Sequence, residues 1–203
     1  MKRVKIALAV LAVALVGAIA WQIAQSRAPD PVYKSRKLSE WLKDMWRNEN
    51  GITVSHGTVE AVRELGTNAI PTLLQMLRTE DSPLELKLRR LIKRQQVIKV
   101  QFTPIRQKQM AAAFAFDFLG TNAQSAVPAL IQIVDDEGIS PSSRELAILS
   151  LGYIGPPAKQ SVPHLLPWAT NGVEKLRDTA QTALRRIDPK AANNAGITND
   201  LSP

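Results

Sequence analysis

The sequence predicts an all-α fold, an α-solenoid of about four helical hairpins that follows an N-terminal transmembrane or signal helix. The main observation is a repeated phrase: residues 120–131 return as residues 155–166, with both the glycines and the prolines 35 residues apart. A shortened copy occupies residues 65–74. Fixed periods of about 20–50 residues are typical of solenoids, in which no unit buries its apolar face alone. The chain shows almost no alternating apolar pattern, so strands are not expected.

The first 24 residues predict a signal anchor or a signal peptide. Basic residues precede a run over residues 6–21 that contains no polar side chain. A bilayer span needs about 20 apolar residues and Trp21 is typical of a membrane interface, whereas residues 18–20 fit a cleavage site. In both cases we expect the repeats in the cell envelope outside the cytoplasm, either anchored in the inner membrane or secreted or periplasmic after cleavage.

Two short segments separate this helix from the repeats. Residues 25–37 contain Pro29 and Pro31 and no apolar period, which predicts a linker. Residues 38–50 begin with an amphipathic stretch that predicts a capping helix on the first repeat, with Ser39 as its N-cap. The remaining chain is long enough for one modest domain.

Residues 51–190 predict the repeat domain, in which each unit is a helix, a tight turn and a second helix. A glycine ends the first helix, because glycine readily adopts the left-handed conformation found at helix ends. A proline opens the second helix, where its missing N–H would have had no partner in any case. These structural repeat positions are Gly66, Pro71, Gly120, Pro128, Gly155 and Pro163.

Apolar residues at helical spacing predict the first helices over residues 58–65, 106–119, 143–154 and 174–187. The second of these helices carries Met110, Phe114 and Phe118 at a spacing of four residues. Beside them lie alanines at positions 111, 112, 113 and 115, which are small enough to let two helices approach closely. In the fourth helix, the residues expected on the core face are Leu176, Ala180, Ala183, Leu184 and Ile187. Residues 191–203 are small and polar and predict a flexible tail.

The repeated phrase resembles the HEAT-repeat family, in particular bacterial HEAT-like repeats of the PBS-lyase type with the pattern A-L-G-x-I-G-x-x-A-x-x-A-V-P-x-L. The resemblance covers residues 57–190, although the first unit lacks three residues between Gly66 and Pro71. Residues 33–42 also resemble the leader Tyr-x-x-[Arg/Lys]-x-Leu-Ser-x-Trp-Leu of exported bacterial HEAT proteins. The resemblance implies an armadillo-like helical fold and a scaffold role, and it carries over no catalytic residue.

An insert over residues 80–105 breaks the period, because Pro71 and Pro128 are 57 residues apart, which is 22 more than the next interval of 35 (57 − 35). Its basic residues are Lys87, Arg89, Arg90, Lys93 and Arg94. One interpretation is a ridge that binds an anionic partner such as lipid headgroups, an acidic protein or a polyanion. The other is the solvated side of an amphipathic helix. Nucleic acid is disfavoured, because export is expected and no aromatic residue is interleaved with the charges.

Other candidate sites are few. The chain has no cysteine, which excludes disulfides and thiolate metal sites. His56, expected in a glycine-flanked loop, and His164 are 108 residues apart in the sequence and predict surface or packing roles. Residues 135–137 are acidic and predict a solvated turn. Trp168 is a weak candidate for partner binding, because aromatic residues are favoured at interface hot spots. No catalytic residue, metal or cofactor is predicted.

These observations favour a non-enzymatic scaffold. Its second helices would present a surface to a protein partner, and its N-terminal helix would lie in the membrane. Two alternatives remain open at this point. One is an adaptor that binds a membrane surface or a polyanion through the basic insert, and the other is a HEAT-like lyase or accessory enzyme.

Overall fold

The computed structural model of the protein describes residues 28–46, 54–80 and 104–197. These residues are mostly helical, which confirms the all-α class. Among them, no helix combines the length and the apolar character that a membrane span requires. Several predictions lie outside the described residues: the N-terminal anchor or signal peptide, the end of the capping segment, the centre of the basic insert and the last residues of the tail.

The described part of the predicted linker is a β-hairpin. Strand β1 (Val32–Tyr33) pairs antiparallel with β2 (Arg36–Lys37). The two residues between them, Lys34 and Ser35, have φ values of 46° and 61°. Positive φ at both central residues is the type I′ geometry that matches the twist of paired strands. Strands of two residues are too short to produce an alternating pattern, and the sequence therefore predicted no structure here.

Side-chain hydrogen bonds fix this hairpin to the helical domain. The hydroxyl of Tyr33 and the ammonium of Lys34 donate to Glu60 at 2.9 and 3.0 Å. These two bonds, the one from Lys34 first, lower the pKa of the Glu60 carboxyl. Upstream of the hairpin, Thr72 Oγ1 donates to the carbonyl of Pro29 at 3.1 Å. The segment therefore packs on the domain from residue 29 onward.

The capping helix is present as α1 (Leu38–Lys43), and a 3₁₀ turn over Asp44–Trp46 follows it. Leu38 and Leu42 are buried, as expected for an amphipathic helix that packs on one side. The prediction of Ser39 as the N-cap is wrong, because Ser39 lies inside the helix. Its backbone N–H is instead satisfied at 3.2 Å by Oδ1 of Asp30, which reaches it from before the hairpin.

Over the described part of residues 70–187, short helices with proline as their second residue alternate with longer helices. The described helices are α2 (His56–Leu65), α3 (Ile70–Arg78), α4 (Ile105–Leu119), α5 (Val127–Asp135), α6 (Pro141–Ile154), α7 (Val162–Asn171), α8 (Glu174–Ile187) and α9 (Pro189–Asn194). The predicted first helices agree with α2, α4, α6 and α8 to within two residues at each end. His56 was expected in a loop, but it is the first residue of α2, because Ser55 accepts a bond from the N–H of Thr58 and caps the helix.

The predicted roles of glycine and proline are confirmed. Gly66, Gly120 and Gly155 follow α2, α4 and α6 with φ values of 53°, 51° and 74°, which side-chain-bearing residues rarely adopt. Proline is the second residue of α3, α5 and α7. The connections are 3₁₀ turns at Gly66–Ala69, Gly120–Ala126 and Pro156–Ser161.

Contacts between helices follow the order of the chain. Helix α4 packs between α2 and α6, and α6 packs between α4 and α8. Likewise α5 contacts both α3 and α7, and each 3₁₀ turn touches the next. We call α3, α5 and α7 the proline helices and α4, α6 and α8 the long helices. One hydrophobic core runs through both sets.

The helices pair into hairpins differently from the prediction. Each proline helix packs most extensively on the long helix that follows it: α3 on α4, α5 on α6 and α7 on α8. The glycine–proline turn therefore joins neighbouring hairpins, and the basic insert lies between the two helices of the first hairpin. A repeating sequence has a defined period, but it can be divided into units at any point. The packing of the helices selects the division.

The core face of α8 is confirmed, since all five predicted residues are at most 4% exposed. On α4, Met110, Phe114 and Phe118 are half-buried and pack against the core, as predicted, but the fully buried aromatic residue of this helix is Phe116. Helix α4 contacts α1, α2, α3 and α6, so it is enclosed on several sides. Its alanines permit this close approach and are buried: Ala111, Ala112, Ala113 and Ala115.

The described part of the predicted tail is ordered. Asp188 Oδ1 accepts bonds from the N–H groups of Lys190 and Ala191, both at 3.1 Å, and so caps α9. Ala192 is buried and Ile197 is 5% exposed, so the segment packs on α8 up to residue 197. Small residues give no apolar period, and the sequence therefore did not predict this short helix.

Candidate interaction surface

The outward sides of the proline helices carry the same four positions in each helix. We call this surface the proline-helix face, and its residues are Pro71, Leu74, Gln75, Arg78, Pro128, Ile131, Gln132, Asp135, Pro163, Leu166, Pro167 and Thr170. Spacings of three, four and seven residues place the four positions on one side of each helix. The initial proline is exposed in every helix, and the aliphatic residue three positions later is half-buried.

Side-chain contacts connect adjacent proline helices across this face. Arg78 of α3 donates to the side-chain oxygen of Gln132 on α5 at 3.3 Å. His164 Nδ1 on α7 lies 2.8 Å from Oδ2 of Asp135 at the end of α5. Sequence analysis treated His164 and the acidic run at 135–137 as unrelated, but stacking of successive units brings them together.

The face is weakly charged and chemically mixed. Its ionisable side chains are Arg78 and Asp135, of opposite sign, with His164 beside Asp135. Between them it offers proline rings, aliphatic side chains, two amides and the hydroxyl of Thr170. Such a mixture of apolar area and hydrogen-bonding groups resembles the composition of protein–protein interfaces, whose cores are depleted in charged residues.

Trp168 lies behind this face and contacts a buried arginine. The guanidinium carbon of Arg144 on α6 lies 4.7 Å from the centre of the Trp168 ring. Arg144 is 9% exposed and donates to the carbonyl oxygens of Val134 at 2.9 Å and Asp136 at 2.6 Å. Carbonyls at the end of a helix lack partners within that helix, and Arg144 satisfies them at the end of α5. Trp168 thus packs against Arg144, and its role in partner binding stays a prediction.

A second buried polar group connects the first hairpin to the next one. Gln109 on α4 is 3% exposed, and its Nε2 contacts Ser143 Oγ at 2.9 Å. The same amide nitrogen donates to the carbonyls of Thr79 and Leu77 at 2.8 and 3.3 Å. A buried amide needs such partners because its desolvation is otherwise costly. Sequence analysis placed Gln109 inside a helix but had no signal for these long-range partners.

Ion pairs extend across the long helices. Glu145 on α6 lies 3.5 Å from Arg106 on α4 and 3.0 Å from Lys175 on α8. Glu145 is largely buried, whereas its two partners are about half exposed or more. One carboxylate therefore bridges three successive long helices, and it adds to the register that the apolar core already sets.

The described residues offer few groups for catalysis. Ser161 lies three residues before His164 in the sequence, but its hydroxyl is buried and donates to the carbonyl of Ala158 at 2.7 Å. His56 is exposed at the start of α2. Within the described ranges, no three histidine, aspartate or glutamate side chains converge in a way that would hold a metal ion.

The basic insert residues Lys87, Arg89, Arg90, Lys93 and Arg94 lie outside the described residues. The flanking Glu80 follows α3 and accepts a bond from the N–H of Ser140 at 2.6 Å. Both ends of the insert therefore belong to the connection between α3 and α4.

Comparison with known proteins adds no relative to this description. No family model, no curated protein and no solved structure matches the chain.

Proposed function

We propose that this protein is a non-enzymatic scaffold for protein–protein interaction, built as a HEAT-like α-solenoid. The repeated glycine and proline positions and the chain-order contacts of the helices support this architecture. A solenoid buries its apolar residues between neighbouring units and leaves its long sides available for recognition.

The observation that carries the proposal is the proline-helix face. The same outward positions recur on α3, α5 and α7, and polar contacts between the helices keep their side chains in register. A partner that fits this surface is a protein segment with apolar side chains for the proline and aliphatic positions and polar groups for Gln75, Gln132 and Thr170. The low net charge of the face disfavours a polyanion as its ligand.

We further propose that residues 1–24 anchor the scaffold in the inner membrane, with the repeats outside the cytoplasm. The basic start and the apolar run of the sequence support this location. In this arrangement the scaffold recruits its partner at the membrane surface. A partner that is bound to the same membrane meets the scaffold at a higher effective concentration.

Site-specific photocrosslinking in cells tests the proposed surface. A benzophenone amino acid is introduced in place of Gln132 or Pro167 on the proline-helix face. Matched control positions are Arg63 and Asp117, which are exposed on α2 and α4. We expect adducts of one discrete mass from positions 132 and 167 and none from the controls. Adducts that form only from the controls, or equally from all four positions, would contradict the proposal.

Once the crosslinked partner is identified, its affinity for variants of the scaffold provides a quantitative test. Ile131→Arg places a charge among the aliphatic positions of the face, and we expect it to weaken binding of the identified partner at least tenfold, about 1.4 kcal/mol. The control variant Asp117→Arg adds the same side chain on α4. Equal affinities of the two variants in a titration would argue against the proline-helix face.

A further inference from the structure

We propose that the β-hairpin end of the domain, residues 29–43, rests directly on the headgroups of an anionic lipid bilayer. The inference rests on the proposed function, because it requires that residues 1–24 are in the membrane. It adds which part of the domain faces the lipid, and therefore which parts remain free for a protein partner.

The first step concerns where the chain becomes fixed to the domain. The carbonyl of Pro29 accepts the hydroxyl of Thr72, and Asp30 accepts the N–H of Ser39. The carbonyl of Pro31 accepts the N–H of Leu38 at 2.8 Å. Three successive bonds therefore fix the chain to the domain from residue 29 onward.

The second step is the length of chain between the membrane segment and the first residue that is fixed to the domain. If the membrane segment ends at residue 24, residues 25–28 form the whole connection to the domain. At most about 3.6 Å per residue is available in an extended chain, so this connection spans at most about 14 Å. The headgroup layer on each side of the hydrocarbon core is roughly 5–7 Å thick. After crossing that layer, the connection has at most about 9 Å left, so the hairpin end remains close to the headgroups.

The third step is the chemistry of the outward side of the hairpin. Tyr33 and Arg36 turn inward, where Tyr33 bonds to Glu60 and Arg36 pairs with Asp44 at 2.6 Å. Val32 and Lys37 are directly paired across the strands, and both are exposed. Val32 is 57% exposed, and within the described ranges only Val173 is also a large exposed hydrophobic residue.

Exposed lysines lie on the same short segment as this apolar tip. Lys37 and Lys43 are exposed beside the exposed acid Glu40, whereas Lys34 is exposed but pairs with Glu60 at 3.0 Å. An aliphatic side chain among lysines suits the membrane interface, since the apolar group enters the acyl boundary while the ammonium groups contact anionic headgroups.

Quenching by spin-labelled lipid headgroups tests the inference, and the absence of cysteine from the chain makes single labelling simple. The full-length protein carries one fluorophore, at Glu40→Cys beside the hairpin or at Asn193→Cys on α9. It is reconstituted in vesicles of phosphatidylcholine and phosphatidylglycerol that contain a headgroup-nitroxide lipid. We expect quenching at position 40 to exceed that at position 193 at least severalfold. In protein that floats with the vesicles, quenching at position 40 that is absent, or no stronger than at position 193, would overturn this inference and leave the proposed membrane anchor intact.

Flotation and a charge-reversal variant distinguish a failure of the membrane anchor from a failure of the hairpin contact. Protein that does not float with the vesicles would overturn both the membrane anchor and this inference, and flotation reports that result independently of quenching. Val32→Glu combined with Lys37→Glu should reduce quenching at position 40 while flotation persists. Unchanged quenching in that variant would show that the hairpin makes no contact of its own with the lipid, which contradicts the inference. Circular dichroism of each variant confirms that the helices are retained.

Discussion

At the scale of single residues, two buried groups determine how neighbouring hairpins meet. Arg144 satisfies two carbonyls at the end of α5 and lies against the ring of Trp168 on α7. It therefore connects three helices from a position where its charge is nearly removed from water. Gly152 on α6 has no side chain, and this absence allows α8 to pack directly against the backbone of α6.

We predict that Arg144 and Trp168 are energetically coupled. Arg144→Met removes the bonds to two helix-end carbonyls and should lower the free energy of unfolding by about 2–3 kcal/mol. In a double-mutant cycle with Trp168→Leu, the coupling should be about 0.5–2 kcal/mol, as expected for a partly desolvated cation–π contact. Urea denaturation measures all four proteins. Strictly additive losses would show that the ring does not stabilise the guanidinium.

We predict that Gly152 tolerates no larger side chain. A Cβ atom at this position would lie 2.9 Å from Cα of Ala183 and 3.0 Å from its Cβ. Because both contacts involve the backbone or its first side-chain atom, the helices must separate, at a cost of about 1–3 kcal/mol for Gly152→Val. Thr182→Val, on the exposed side of α8, is the control. A melting temperature for Gly152→Val equal to that of the control would mean that the close approach does not exist.

At the scale of elements, α8 shows where sequence reasoning succeeds. Its apolar residues recur at helical spacing on one side only, and Pro189 follows its end, so both its face and its bounds were predicted. Helix α4 was predicted only in part, without the buried side chain of Phe116, because it is enclosed by four other helices and has no single apolar side. The hairpin of β1 and β2 failed because each strand has two residues. The contacts of His164 and Arg144 join residues of different helices, and no local pattern reports them.

The core position of Leu184 allows a direct test of α8. Leu184 is fully buried. Leu184→Asp buries a carboxylate without a partner, and we expect a loss of several kcal/mol in the free energy of unfolding. Thr182→Asp, two residues earlier on the exposed side, is the matched control. Thermal unfolding followed by circular dichroism compares the two variants, and an unchanged transition in Leu184→Asp would mean that the buried face is assigned wrongly.

The cap of α9 predicts a dependence on pH. The hydrogen bond from Lys159, followed by those from backbone N–H groups, lowers the pKa of Asp188. A carboxyl whose pKa is lower in the folded state stabilises that state above its unfolded pKa, about 3.9, and this contribution disappears as the pH falls through the folded value. The advantage in melting temperature of wild type over Asp188→Asn should therefore be constant above about pH 5 and vanish in strong acid. A difference that does not change with pH would exclude this role.

At the scale of the whole molecule, the proposed function depends on a linear order of units. Each helix mainly contacts the next helix in the chain or the one after it, and one core continues from α1 to α9. The linear array that we propose has a free long side, and the proline-helix face would lie along it. The period of the sequence predicts such an array, but the pairing of the helices became visible only in the packing, where each proline helix pairs with the long helix that follows it.

Amide hydrogen exchange of wild type and Leu184→Asp, resolved by peptide, tests the linear order most directly. In a stack of units that touch only their neighbours, damage at one end spreads by a short distance. We predict that α7, α8 and α9 lose most of their protection and α6 loses part of it, while α2, α3 and α4 exchange as in the wild type. An equal loss of protection in all helices would show a single undivided core, and it would contradict the scaffold of stacked hairpins on which the proposed function rests.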